Sequence, residues 1–76
     1  MKLDEVTQVI AETGVVADMA GFDADKTLEE NGVDSLDTYT ILLALEETSG
    51  VPLETVSIDE ISTAKALQAY IAANKA

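Results

Sequence analysis

Residues 32–37 read Gly-Val-Asp-Ser-Leu-Asp, and they force a helix to begin in the middle of a chain of only 76 residues. Asp34 has the short acceptor side chain that an N-cap needs, and Asp37 puts a negative charge in the first turn, against the positive end of the helix dipole. Behind them Thr38, Ile41, Leu42 and Leu45 share one helical stripe, while Leu36, Tyr39, Thr40, Leu43 and Glu47 share another. Ser49-Gly50 and then Pro52 stop the pattern, so the predicted helix runs from Ser35 or Leu36 to about Thr48. The first stripe is the better core candidate. The second either packs beneath a loop or stays exposed as an apolar strip with an acidic rim.

The remaining chain must supply partners for this central helix. Leu3, Val6, Ile10 and Thr13, with Val9 beside them, form an amphipathic stripe that opens on Asp4 and Glu5 and is ended by Gly14. From Val15 to Val33 the periodicity fades and Gly21, Asp23, Asp25, Asn31 and Gly32 accumulate. This predicts a long ordered loop, pinned to the helices by Val16, Met19, Phe22 and Leu28. Between Pro52 and Ile61, Val56 and Ile58 with Glu54, Asp59 and Glu60 predict a short helix or turn. Ser62 or Thr63 caps a last helix through Ala64, Leu67, Tyr70 and Ile71, which frays over Asn74-Lys75-Ala76. Nothing alternates at period 2 for long enough to make a strand. The expected fold is all-α: a single domain over residues 1–76, a small bundle of three longer helices and one short one, with a long loop between the first two. Its core joins Ile41, Leu42 and Leu45 to Val6, Ile10 and Leu67.

Charge narrows the partners. Fifteen acidic residues face four lysines, for a formal charge of −11, which disfavours nucleic acid and anionic membrane surfaces and favours basic protein surfaces. So much like charge on a small body repels itself, and salt or divalent cations are expected to stabilise the fold. Cysteine and histidine are absent, which removes disulfides, thiolate nucleophiles, zinc centres and the usual general base. With no phosphate loop or nucleophile–base pair either, a non-catalytic protein is expected. The longest apolar run, Ile41 to Leu45, is far below the ~20 residues that cross a bilayer. Met1-Lys2-Leu3-Asp4-Glu5 lacks the pattern of a secretory signal, so a cytoplasmic location is expected. Asp23-Ala24-Asp25 resembles the opening of a calcium loop, but the sixth position is Leu28 instead of glycine and the twelfth is Asp34 instead of glutamate. No metal site is expected.

On the residues alone, Ser35 is either an ordinary first-turn serine or a covalent attachment site. Asp34-Ser35-Leu36, followed by Asp37-Thr38 and then Leu45-Glu46-Glu47, resembles the acyl carrier protein family. The likeness runs from about Leu28 to Glu47, and more loosely over the whole chain through length, acidity and the helix start at Ile61-Ser62-Thr63-Ala64. The resemblance implies a freestanding, monomeric carrier whose Ser35 bears 4'-phosphopantetheine drawn from coenzyme A. The arm's thiol then holds acyl groups as thioesters for fatty-acid, polyketide or specialised lipid synthesis, and the space between the helices shelters the chain. It also implies docking of a phosphopantetheinyl transferase and of acyl-processing enzymes with basic patches. Asp34, Leu36, Asp37, Tyr39, Thr40, Leu43, Glu46 and Glu47 are the residues expected to meet them. Glu46 and Glu47 sit at a helix end where the dipole disfavours acids, which argues for an interaction role. Three positions depart from many fatty-acid carriers: Asn31 replaces a leucine, Thr40 a glutamate, and Thr48 or Ser49 an aromatic. Asp34 in place of histidine leans away from peptidyl carriers. An aminoacyl carrier and an acidic helical adaptor without a prosthetic group are the alternatives.

Overall fold

The computed structural model describes residues 1–53, 55–57 and 60–74. Among them the chain forms α1 (Leu3–Thr13), α2 (Ser35–Ser49) and α3 (Ala64–Asn74), with a 3-10 turn at Met19–Gly21 and no strand beyond one isolated bridge between Thr27 and Thr63. The all-α bundle expected from periodicity is the fold observed.

α1 opens without a serine, threonine or aspartate cap. The Glu5 carboxylate instead accepts the Lys2 backbone N–H at 2.9 Å, satisfying a donor that the helix itself leaves free. α1 packs against both α2 and α3. Val6 and Ile10 have no exposed surface and join Ile41, Leu45, Leu67 and Ile71 in one aliphatic cluster. Burying each such side chain is worth about 1.5–3 kcal/mol relative to leaving it in water. Phe22 and Tyr70 only flank this cluster, half-buried.

The connecting segments contribute more core than the periodicity suggests. Val33, Val51, Leu53 and Ile61 are all buried, although none lies on a helical stripe. Glu46 reaches from α2 to accept the Leu53 N–H at 2.7 Å, and the buried Ser49 hydroxyl accepts the Val51 N–H at 3.2 Å. These bonds fold the chain leaving α2 back against the core. Gly50, with φ of 75°, takes the left-handed conformation that ends the helix at low cost. The short helix expected between Pro52 and Ile61 rests partly on Glu54, Ile58 and Asp59, which lie outside the described residues. The flanking residues form turns in which Val56 N–H bonds the Leu53 carbonyl and Glu60 N–H bonds that of Ser57. Of the two candidate caps for α3, Thr63 is the one used, its hydroxyl accepting the Ala66 N–H at 3.0 Å. Asn74 is helical instead of frayed; Lys75 and Ala76 are not described.

The segment before α2 has more order than a loop pinned only by apolar residues. Thr27 and Glu30 cap each other: the Thr27 hydroxyl accepts the Glu30 N–H at 3.0 Å and the Glu30 carboxylate accepts the Thr27 N–H at 2.9 Å. This reciprocal pair starts one helical turn. The turn closes where Gly32, with φ of 88°, donates to the Glu29 carbonyl at 2.9 Å and Val33 donates to that of Leu28 at 3.0 Å, the Schellman pattern. Leu28 and Val33 both point into the core. Asn31, one of the positions that depart from many fatty-acid carriers, holds the turn to the preceding chain. Its Oδ1 accepts the Asp23 N–H at 2.8 Å, and its Nδ2 donates to the carbonyls of Asp23 and Thr27, each at 2.9 Å. Leu28 N–H bonds the Ser62 carbonyl at 2.8 Å and Lys65 N–H bonds that of Ala24 at 3.3 Å, with a Lys65–Asp25 ion pair outside them. Together they clasp the turn to the start of α3.

Asn31→Leu removes the Asn31 bonds and is expected to destabilise the fold by on the order of 1–3 kcal/mol in urea titration. Glu30 gives a pH signature. The Thr27 backbone N–H, then the Thr27 hydroxyl, hold its carboxyl below the usual glutamate value. A carboxyl lowered in the folded state stabilises fully above its ordinary value near 4.5, and that stabilisation is lost as pH falls through the lowered one. The stability gap between the wild type and Glu30→Gln is therefore constant at neutral pH and narrows below the ordinary glutamate range, as chemical denaturation at a series of pH values will show.

Candidate functional site

Asp34 stands at the junction of this turn with α2. In extended conformation, it accepts the Asp37 N–H on Oδ1 at 2.8 Å, while its carbonyl takes both the Thr38 N–H and the Thr38 hydroxyl at 2.9 Å. The cap and first-turn charge read from the sequence are thus present as expected. With Val33 drawn inward and Asp34 committed to the helix start, Ser35 faces outward. It is exposed, and among the described residues its hydroxyl is held by no hydrogen bond. A hydroxyl in that position is open to modification, and the helix terminus beside it favours an anion.

Next to Ser35 lies an open-sided cavity of about 570 Å³. α2 supplies Thr38 and Leu42 to it, the capped turn supplies Thr27, Leu28 and Val33, and the chain before α3 supplies Ile61 and Ser62. Glu29 and Asp34 also line it. Periodicity assigned Leu42 to the core, and it is buried, but it also forms part of this wall.

On the outer face of α2, Leu36 is 77% exposed, Tyr39 55% and Leu43 47%. Of the two readings left open for this stripe, the exposed one holds. Thr40 and Glu47 are exposed as well, and Asp37 is half-buried. Glu46 differs from Glu47: it is half-buried and spends one oxygen on the Leu53 N–H. That structural bond was not legible from its place at the helix end.

The family model described as phosphopantetheine attachment site matches residues 4–71. The acyl carrier protein of Zymomonas mobilis subsp. mobilis is 34% identical over 68 residues, covering 82% of this chain and 87% of that protein. This chain belongs to the acyl carrier protein family. No solved structure matches it significantly.

Acyl carrier proteins hold a covalent 4'-phosphopantetheine, and their general partners are the phosphopantetheinyl transferase and acyl-processing enzymes. Carriers of this kind are not catalysts. The chain's own geometry fits the group: an accessible serine hydroxyl at a helix start, with the dipole's positive end beside it and a partly apolar cavity adjacent. Among the described residues, no helix is long and apolar enough to cross a membrane.

Because Asp34 caps α2 through one carboxylate oxygen, Asp34→Ala is expected to lose about 1 kcal/mol of stability. Asp34→Asn keeps an acceptor and should retain most of it; urea denaturation of the two variants measures the difference.

Proposed function

We propose that Ser35 carries the 4'-phosphopantetheine arm and that the protein, itself non-catalytic, delivers thioester-linked acyl groups to enzymes of fatty-acid, polyketide or specialised lipid synthesis. The observation that carries this reading is the exposed, unengaged Ser35 hydroxyl at the capped start of α2. The arm supplies the thiol that a chain without cysteine lacks. The chain's own residues present the attachment atom and mark it for recognition.

Recognition falls to the outer face of α2. Leu36, Tyr39 and Leu43 offer apolar contact area, and Thr40 adds a polar group between them. Asp34, Asp37 and Glu47 surround them with negative charge, to which Glu46 adds from its partly committed carboxylate. A basic enzyme patch is the complement. Attraction between such surfaces speeds encounter without making the complex long-lived, and salt weakens it. A monomer in the cytoplasm that must leave each enzyme after a turnover is suited by that balance.

Intact mass after incubation with coenzyme A and a broad-specificity phosphopantetheinyl transferase tests the attachment. The wild type is expected to gain one phosphopantetheinyl group and Ser35→Ala none. An unchanged wild-type mass supports an adaptor without prosthetic group, and a gain in the variant moves the attachment to another residue.

A further inference from the structure

The turn that precedes α2 is held by an asparagine followed directly by a glycine, Asn31-Gly32. Asparagine is a thermally labile side chain, because the backbone nitrogen of the next residue can attack its side-chain amide. A glycine in that next position, having no Cβ, lets the two groups meet most easily. The other asparagine of the chain, Asn74, precedes Lys75, whose Cβ obstructs the same approach.

In the folded chain both reacting groups are engaged. The Gly32 N–H donates to the Glu29 carbonyl at 2.9 Å. The Asn31 side-chain amide accepts the Asp23 N–H at 2.8 Å and donates to the carbonyls of Asp23 and Thr27, each at 2.9 Å. The Asn31 N–H is bonded back into the turn as well, to the Leu28 carbonyl at 3.0 Å. Attack therefore requires the turn to open. Gly32 is exposed, so water is at hand to complete the reaction once it does.

The reaction needs no partner beyond that water. In the opened turn the Gly32 nitrogen bonds to Asn31 Cγ, the bond from Cγ to Nδ2 breaks, and Nδ2 leaves as ammonia with the proton that Gly32 gives up. Water then opens the cyclic imide: its hydroxyl adds to one of the two carbonyl carbons, and its proton returns to the Gly32 nitrogen. Release from Cγ gives aspartate, and release from the backbone carbonyl gives isoaspartate.

Neither product refits the turn. Aspartate puts a carboxylate oxygen where Nδ2 was the donor, so the bonds to the Asp23 and Thr27 carbonyls become contacts between acceptors. It also adds a negative charge next to Glu29 and Glu30. Isoaspartate lengthens the backbone by one carbon, which shifts the Gly32 N–H away from the Glu29 carbonyl.

We propose that Asn31-Gly32 is a self-modification site gated by the capped turn: it is inert while the turn is closed, deamidates when the turn opens, and thereby keeps the turn from closing again. The chain then records its own opening in a covalent bond. The reaction uses neither the Ser35 hydroxyl nor any group attached to it, so the proposal holds or fails apart from the carrier reading.

The full chain is incubated in mildly alkaline buffer with and without unfolding concentrations of urea. Intact mass, peptide mapping and methylation by an isoaspartyl methyltransferase follow the conversion. The folded protein is expected to react at least roughly 10-fold more slowly than the unfolded one, equivalent to about 1.4 kcal/mol for opening the turn. Thr27→Val removes the acceptor of the Glu30 N–H and is expected to speed the reaction without urea by roughly 2- to 10-fold, the range that one net hydrogen bond provides. Asn31→Asp, made directly, gives a readout that needs no incubation: a lowered melting temperature, with displaced amide NMR signals at Gly32, Val33 and Asp34. Equal rates with and without urea, conversion at Asn74 ahead of Asn31, an unchanged rate in Thr27→Val, or wild-type melting of Asn31→Asp would each overturn the proposal.

Discussion

The hydrogen bonds made within residues 27–38 decide where α2 begins, and that decides where Ser35 points. A capped turn closed by a left-handed glycine has few ways to leave its last residue. It drives Val33 into the core and hands the chain to Asp34 in extended conformation, ready to cap. One residue later the side chain lies on the outside. The exposure of the serine is thus a by-product of burying the valine two positions before it.

Charge and packing are divided between the two sides of α2. Toward α1 the helix is aliphatic and fully buried at Ile41 and Leu45; away from it, Leu36 and Tyr39 stand in water among carboxylates. A helix apolar on both sides is not optimal for stability, since the outer leucines gain nothing in the isolated protein. Such a surface is consistent with the docking role proposed for it. With the chain at −11, its complement is positive. Glu46 shows that an acid at the helix end can also serve the fold, through its bond to Leu53. Removing that carboxylate would mix two effects, whereas removing Glu47 would touch charge alone.

Much of this was legible in the sequence, for physical reasons that differ by element. α1, α2 and α3 announce themselves because their apolar residues recur at the helical period and because Gly14, Asp34 and Gly50 have only one comfortable role each. The place of Ser35 at the head of α2 was legible through the cap chemistry of Asp34 and Asp37. Val33, Val51, Leu53 and Ile61 were not, because they fill the core from irregular segments where no period exists to count. Thr27, Glu30, Asn31 and Gly32 do contain a readable signal: a threonine followed three residues later by glutamate, then glycine two further on, is a one-turn helix with both ends marked. It was hidden by the surrounding acids and glycines, which read as loop. The role of Asn31 depends on a contact with Asp23 eight residues away, which no local rule supplies. The cavity, too, joins residues from three separate segments.

The clasp between the capped turn and the start of α3 has a consequence for how the molecule is made. Leu28 is tied to Ser62 and Thr27 lies against Thr63, while Val6 and Ile10 wait for Leu67 and Ile71. During synthesis the first half of the chain emerges with its partners still unmade, and contacts distant in sequence close last. The serine is held in its outward pose only once the final helix has left the ribosome. An enzyme that required that pose would act on finished molecules and pass over nascent ones.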